Sequence, residues 1–146
     1  MPPPTRHAAL AVALGGAAGA TCRWALGTTL AASSADGIAW PWATLTANVV
    51  GCLLLGIVVT RVPFATPRNR AVVVWRDGLG TGFCGGLTTF STFSVEAAEM
   101  LRADRAMLAA AYLAVSLLTG CAAFVMARRV AHAQLARRGT RPRVAT

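Results

Sequence analysis

Apolar residues along this chain gather into four long stretches, covering residues 8–30, 42–60, 71–98 and 107–126. Each approaches or exceeds the roughly 20 residues a helix needs to cross a bilayer. The pattern predicts an all-α membrane protein with four transmembrane helices. The third stretch carries Arg76 and Asp77 near its start and is longer than one crossing requires, which leaves room for a tilt or a break. Polar and helix-breaking residues separate the stretches. Ser33, Ser34, Asp36 and Gly37 mark the first loop, which ends in Trp40-Pro41-Trp42, a pair of indoles suited to the headgroup interface. Residues 61–70 hold two prolines and three arginines and read as the second loop; residues 102–105 form a tight third turn. Three parts follow: a proline-rich, basic and disordered tail over 1–7, a transmembrane domain over 8–127, and a basic cytoplasmic tail over 128–146 whose first turns can continue the last helix.

Composition agrees with a membrane protein. Hydrophobic residues make up 55% of the 146 positions and only 13% are charged, with a mean hydropathy of +0.56. The net charge of +9 would suit nucleic acid, yet the basic residues, all arginine, lie mostly in tails and one loop, and no recognition fold accompanies them. No nucleic-acid partner is expected. With four crossings, both termini share a side with the second loop, and that side carries Arg6, Arg61, Arg68, Arg70, Arg128 and Arg129 near the membrane. The other side has only Arg102 and Arg105 in loops. Positive-inside logic puts both termini in the cytoplasm of a multi-pass plasma-membrane protein. The first stretch resembles a secretory signal, with Arg6, an apolar run and Ala31-Ala32-Ser33, but it is rich in glycine, carries Arg23 and precedes three more stretches. A retained helix is the reading adopted. Cys22, Cys52, Cys84 and Cys121 fall one to a stretch without CxxC spacing and read as small hydrophobes.

The most informative segment runs from Gly85 to Glu96, Gly-Gly-Leu-Thr-Thr-Phe-Ser-Thr-Phe-Ser-Val-Glu. At membrane depth an unsatisfied polar group costs several kcal/mol, so hydroxyls and a carboxylate belong where they line a cavity or pack on protein. Paired glycines followed by two threonines weaken a helix and then supply capping hydroxyls, which predicts a third helix broken between Gly85 and Thr88, near Gly86. A broken membrane helix offers carbonyls to a cation at one half's end and amides to an anion at the other's start. Beyond the break, Phe90 and Phe93 share a helix face. Their electropositive ring edges can meet an anion without a charge that would trap it. Thr89, Thr92 and Glu96 form a polar stripe beside them. An ordinary hydroxyl-rich packing face is the alternative.

Other helices add weaker signals. Gly15, Gly16, Gly19 and Ala20 make a small-residue face for close helix packing. Arg23 follows near the far interface, where it either snorkels or draws anions towards a vestibule. Asn48, Gly51, Cys52, Leu55 and Gly56 share a face of the second helix, with Asn48 serving either as interhelical glue or as an amide donor to an anion. Tyr112, Ser116 and Thr119 align on the fourth helix; they bond back to backbone or extend a donor track. Gly80-x-Gly82-x-x-Gly85 matches a dinucleotide fingerprint by spacing alone, since no βαβ unit surrounds it. His7 and His132 lie near the two ends, and no nucleophile–base or metal-ligand group suggests an enzyme.

Taken together, the glycine-rich first helix ending in Arg23-Trp24, the Asn48-x-x-Gly51 helix and the Gly85–Glu96 core resemble the CrcB/Fluc fluoride channels. The resemblance implies four-helix subunits in antiparallel, dual-topology-type dimers that expel fluoride passively and lower its toxicity. It implies a structural, non-transported Na⁺ at the dimer centre on the backbone carbonyls of Gly85 and Thr88. It also implies a fluoride pore of Asn48, Phe90, Phe93, Thr89, Thr92, Glu96, Tyr112 and Ser116, with Arg23 in the vestibule. Cys52 stands where a serine is common, and Gly120 where a further hydroxyl is often found. The arginine bias fixes one orientation, so an oppositely oriented homologue is the expected partner rather than a second copy. The rival readings are a small proton-coupled drug or cation exporter, for which only Glu96 offers a membrane carboxylate, and a scaffold subunit without transport.

Overall fold

A computed structural model describes residues 6–30, 40–63, 66–67 and 69–139. The described residues contain helices and no strand. Helix α1 (Arg6–Thr29) begins two residues before the predicted span, so Arg6 and His7 belong to it. The rest of the expected N-terminal tail, most of the first loop and the last seven residues lie outside the described residues. Helix α2 (Trp42–Arg61) starts behind Pro41 and stops before Val62-Pro63. A proline disfavours helical backbone in the residue before it, and Val62 is correspondingly non-helical at φ −131°, ψ 77°.

The third rod is composite. It opens with α3 (Arg70–Val72), where the Asn69 side chain accepts the Val72 N–H. It widens into a π-helix over Val73–Cys84 and closes with α4 (Gly85–Leu87). After a non-helical step at Thr88–Phe90 the chain resumes as α5 (Ser91–Arg102). A Schellman turn ends α5: the Arg105 N–H reaches the Met100 carbonyl and the Asp104 N–H that of Leu101. Asp104 takes the left-handed conformation this motif needs, at φ 57°. Helix α6 (Ala106–Gly139) follows. At 1.5 Å per residue it is far longer than the ~30 Å hydrocarbon core, so it continues through what was expected to be tail. Its extension is tied to α2, where Arg61 donates to Gln134 at 2.8 Å.

Helices α1, α2 and α6 are each long and apolar enough to cross a membrane. The third rod with α5 is discontinuous and is not such a helix by itself. The predicted break is present but falls at Thr88–Phe90, at the C-terminal edge of the expected segment. Both glycines stay helical, and at Gly86 helix-to-helix contact, not bending, needs the missing side chain, whereas Gly85 faces open space. A β-carbon on Gly86 would strike the Gly16 carbonyl of α1, and one on Gly82 would lie 2.6 Å from the Val12 carbonyl. The small-residue face of α1 thus meets a glycine row on the third rod, backbone against backbone. On the other side, α2 packs on α6 with Gly56 beneath Phe124. A compact apolar cluster of Phe93, Ala97, Met100, Ala109 and Tyr112 joins α5 to α6.

This packing predicts two opposite responses to an added methyl group. Gly82→Ala forces the α1 interface apart and costs about 1–3 kcal/mol, the usual range for overpacking. Gly27→Ala meets open space and gains up to ~1 kcal/mol of helix propensity. Thermal unfolding in detergent measures both; equal effects would contradict the packing described.

Candidate functional site

Backbone bookkeeping at the break defines the site. In an unbroken helix the Gly85 carbonyl accepts from the amide of residue 89, and the Thr88 carbonyl from that of residue 92. Both amides are diverted. The Thr89 N–H donates to Asn48 Oδ1 at 2.8 Å, and the Thr92 N–H donates to Thr89 Oγ1 at 3.2 Å. Asn48 closes a second bond on the same residue, with Nδ2 donating to the Thr89 carbonyl at 3.2 Å. Thr88 turns extended at φ −77°, ψ 154°, and its hydroxyl donates to the Cys84 carbonyl at 2.9 Å. Its methyl fills the space that Gly51 leaves open on α2. Arg23 Nε donates to the Gly86 carbonyl at 3.2 Å, a basic side chain capping a helix C-terminus. Among the described residues no hydrogen bond ends on the carbonyls of Gly85 or Thr88. Two free carbonyls at a helix end are the hard-oxygen donor set that suits a small hard cation.

Hydroxyls continue the polar path along α5. Thr89 Oγ1 donates to Thr92 Oγ1 at 3.1 Å and lies 3.2 Å from Ser91 Oγ. One turn on, the Glu96 carboxylate accepts from Thr44 Oγ1 of α2 and from the Tyr112 hydroxyl of α6, both at 2.7 Å. Tyr112 is fully buried, with Phe93 at 5.2 Å and Trp40 edge-on at 5.7 Å between ring centroids. Ser116 Oγ is buried and has no hydrogen-bond partner. It does not bond back to its own helix, unlike Thr119, which donates to the Val115 carbonyl. Phe90 and Phe93 lie 5.9 Å apart and tilted by 40°. Phe93 is buried, but Phe90 stands at the break with 79% of its surface exposed.

Two cavities meet at this assembly. One, of about 320 Å³, is walled by Arg23, Trp40, Thr44, Thr89, Thr92 and Glu96. The other, of about 470 Å³, is walled by Asn48, Cys52, Thr88, Phe90, Phe93 and Ser116, again with Thr89. Thr89 borders both. The expected pore, cation-site and vestibule residues lie at the break or on these walls, apart from Tyr112, which stands behind them; Thr119, the last hydroxyl of the expected donor track, lies on neither wall. Arg23 is half-buried on the first wall, with its Nε on the Gly86 carbonyl. Asn48 joins α2 to the break rather than to another helix. Sequence reading missed Thr44, although it precedes Asn48 by one helical turn on the same face.

These observations define a multi-pass helical membrane protein with a polar path beside a broken helix. A family described as CrcB-like protein, Camphor Resistance (CrcB), matches residues 10–128. The chain belongs to this CrcB family. It is similar to a protein of Listeria innocua named fluoride-specific ion channel FluC 2, at 38% identity over 89% of this chain and 94% of the relative. A FluC of Bordetella bronchiseptica is 45% identical over 74% of this chain and 78% of its own length. FluC 1 of Mycobacterium tuberculosis is 45% identical over 82% and 89%. All three are named as ion channels, not enzymes.

If the Asn48 carboxamide holds the break, Asn48→Ala strands the Thr89 N–H and carbonyl and lowers stability by about 1–3 kcal/mol. Asn48→Asp keeps an acceptor but no donor and falls between. Detergent melting curves give the order; an unaffected Asn48→Ala would remove the clamp from the account.

Proposed function

We propose that this chain is a subunit of a passive, fluoride-specific channel that releases cytoplasmic fluoride across the cell membrane, fluoride that entered as neutral HF. The observation that carries the proposal is that two cavities, mainly apolar but carrying hydroxyls on their walls, share Thr89 in a chain whose relatives are named fluoride-specific channels. Fluoride is small and strongly hydrated, so a pore must offer donors in place of water yet bind weakly enough to let go. Ser116 supplies a hydroxyl not engaged elsewhere. Phe90 and Phe93 supply ring edges, and Thr89 and Thr92 supply hydroxyls that can turn. Arg23 on the first wall raises the local anion concentration. The donors of Thr44 and Tyr112 are held by Glu96, so an anion passing there competes with a carboxylate for the same hydroxyls.

The broken rod is read as a fourth crossing, with both termini cytoplasmic. The exposed Phe90 ring, and Gly85 with open space around it, are grounds for a second, antiparallel subunit across the break. A structural Na⁺ there would rest on the carbonyls of Gly85 and Thr88, neutralising their partial charge and fixing the two breaks together. The arginine asymmetry favours a homologue of opposite orientation as that subunit. Lipid surrounds the remaining faces.

Fluoride efflux from liposomes tests the reading. Wild-type chain with its partner subunit releases fluoride without a proton gradient, which a proton-coupled exporter using Glu96 would require. Phe93→Ile lowers the rate by about tenfold, equivalent to ~1.4 kcal/mol on the barrier. No fluoride release, or release driven only by a pH gradient, would overturn it. For the partner, the chain expressed alone gives little efflux, and co-expression with an inverted homologue restores it; full activity alone would sink the heteromeric part only.

A further inference from the structure

A further cavity, larger than the two at the break, lies away from it. It occupies about 920 Å³ between the start of α1 and the start of the third rod, bounded by His7, Leu10, Ala11 and Leu14 on one side and Asn69, Arg70, Val73 and Val74 on the other. Its composition is divided by depth. His7, Asn69 and Arg70 stand together at the mouth, where both helices begin. Leu10, Leu14, Val73 and Val74 form the trough one to two turns further in. Leu10, Leu14 and Val74 are 58%, 63% and 58% exposed, so the trough is open along its side. In water such a face would be a liability; in a bilayer it is a surface for hydrocarbon.

We propose that this groove binds an anionic phospholipid of the leaflet that meets the start of α1, with acyl chain in the trough and phosphate at the mouth. Arg70 is exposed and presents a planar fork suited to bidentate contact with phosphate. His7 beside it is exposed as well and adds a ring N–H. Asn69 uses Oδ1 to hold the Val72 amide, which leaves its Nδ2 donors. Charge complementarity selects the occupant. Basic pockets between helices at the cytoplasmic face suit anionic headgroups, whereas a second copy of this chain would bring a net charge of the same sign, +9. A zwitterionic lipid would fill the trough equally but gain less at the mouth. The groove shares no wall residue with the two cavities at the break, so it concerns lipid attachment and not the anion path.

Native mass spectrometry of the full chain, released from nanodiscs of equal phosphatidylglycerol and phosphatidylcholine, tests this directly. Wild type is expected to retain phosphatidylglycerol about fivefold over phosphatidylcholine, the effect of one arginine near a charged surface. Arg70→Gln brings the ratio close to parity, and Arg129→Gln, a basic residue on the α6 extension, leaves it unchanged. Leu14→Trp, which fills the trough, lowers retention of both lipids. The proposal is overturned by equal retention in wild type, or by Arg70→Gln and Arg129→Gln acting alike. It is overturned too if Leu14→Trp alters oligomer mass with lipid retention intact, which would assign the groove to another protein chain. None of these readouts depends on fluoride transport.

Discussion

A single carboxamide organises this protein. Asn48 grips Thr89 from both sides, accepting from its amide and donating to its carbonyl, and thereby does the work of the helical ladder at the one point where the ladder is interrupted. Membrane interiors tolerate irregular backbone only where protein satisfies it. The clamp meets that condition for Thr89 while sending its amide away from the Gly85 carbonyl. Thr89 repeats the trick one step later, taking the Thr92 amide with its own hydroxyl and leaving the Thr88 carbonyl open. The break is therefore a specified structure rather than a weak spot.

Everything else at the centre depends on that step. Stopping the helix at Leu87 lets Arg23 reach the Gly86 carbonyl, and restarting it at Ser91 aims Glu96 towards Thr44 and Tyr112. The glycine-lined contact between α1 and the third rod brings the backbones close enough for Arg23 to make its bond. A π-helix through Val73–Cys84 carries that contact, and π geometry in membrane and soluble proteins alike tends to accompany function. The result places hydroxyls, a carboxylate and two phenyl rings on the walls of two cavities, with Thr89 common to both.

Much of this was legible in the chain. Four apolar stretches, the small-residue face of α1 and the polar cluster over 85–96 each follow from composition at the right period. Exact placement was not legible. Gly85-Gly86 reads as a helix breaker, yet Gly86 packs against α1, the pair stays helical and the step falls at Thr88. Thr44 carries one signal, its place a helical turn before Asn48, and its role is legible only once its carboxylate partner Glu96 is known. Helix α6 outruns its apolar segment because Ala127 and Ala131 remain buried after the hydropathy has fallen. Residues 31–39, including the expected loop signals, lie outside the described residues.

The claim on which the rest stands is the extended backbone of Thr88 between two helical segments. Solid-state NMR of threonine-labelled protein in lipid bilayers reads it directly from the carbon shifts of that residue. Extended-type shifts are expected at Thr88, with helical shifts at Thr81 before it and Thr92 after it. Helical shifts at all three would mean an uninterrupted rod, and the polar path described here would not exist.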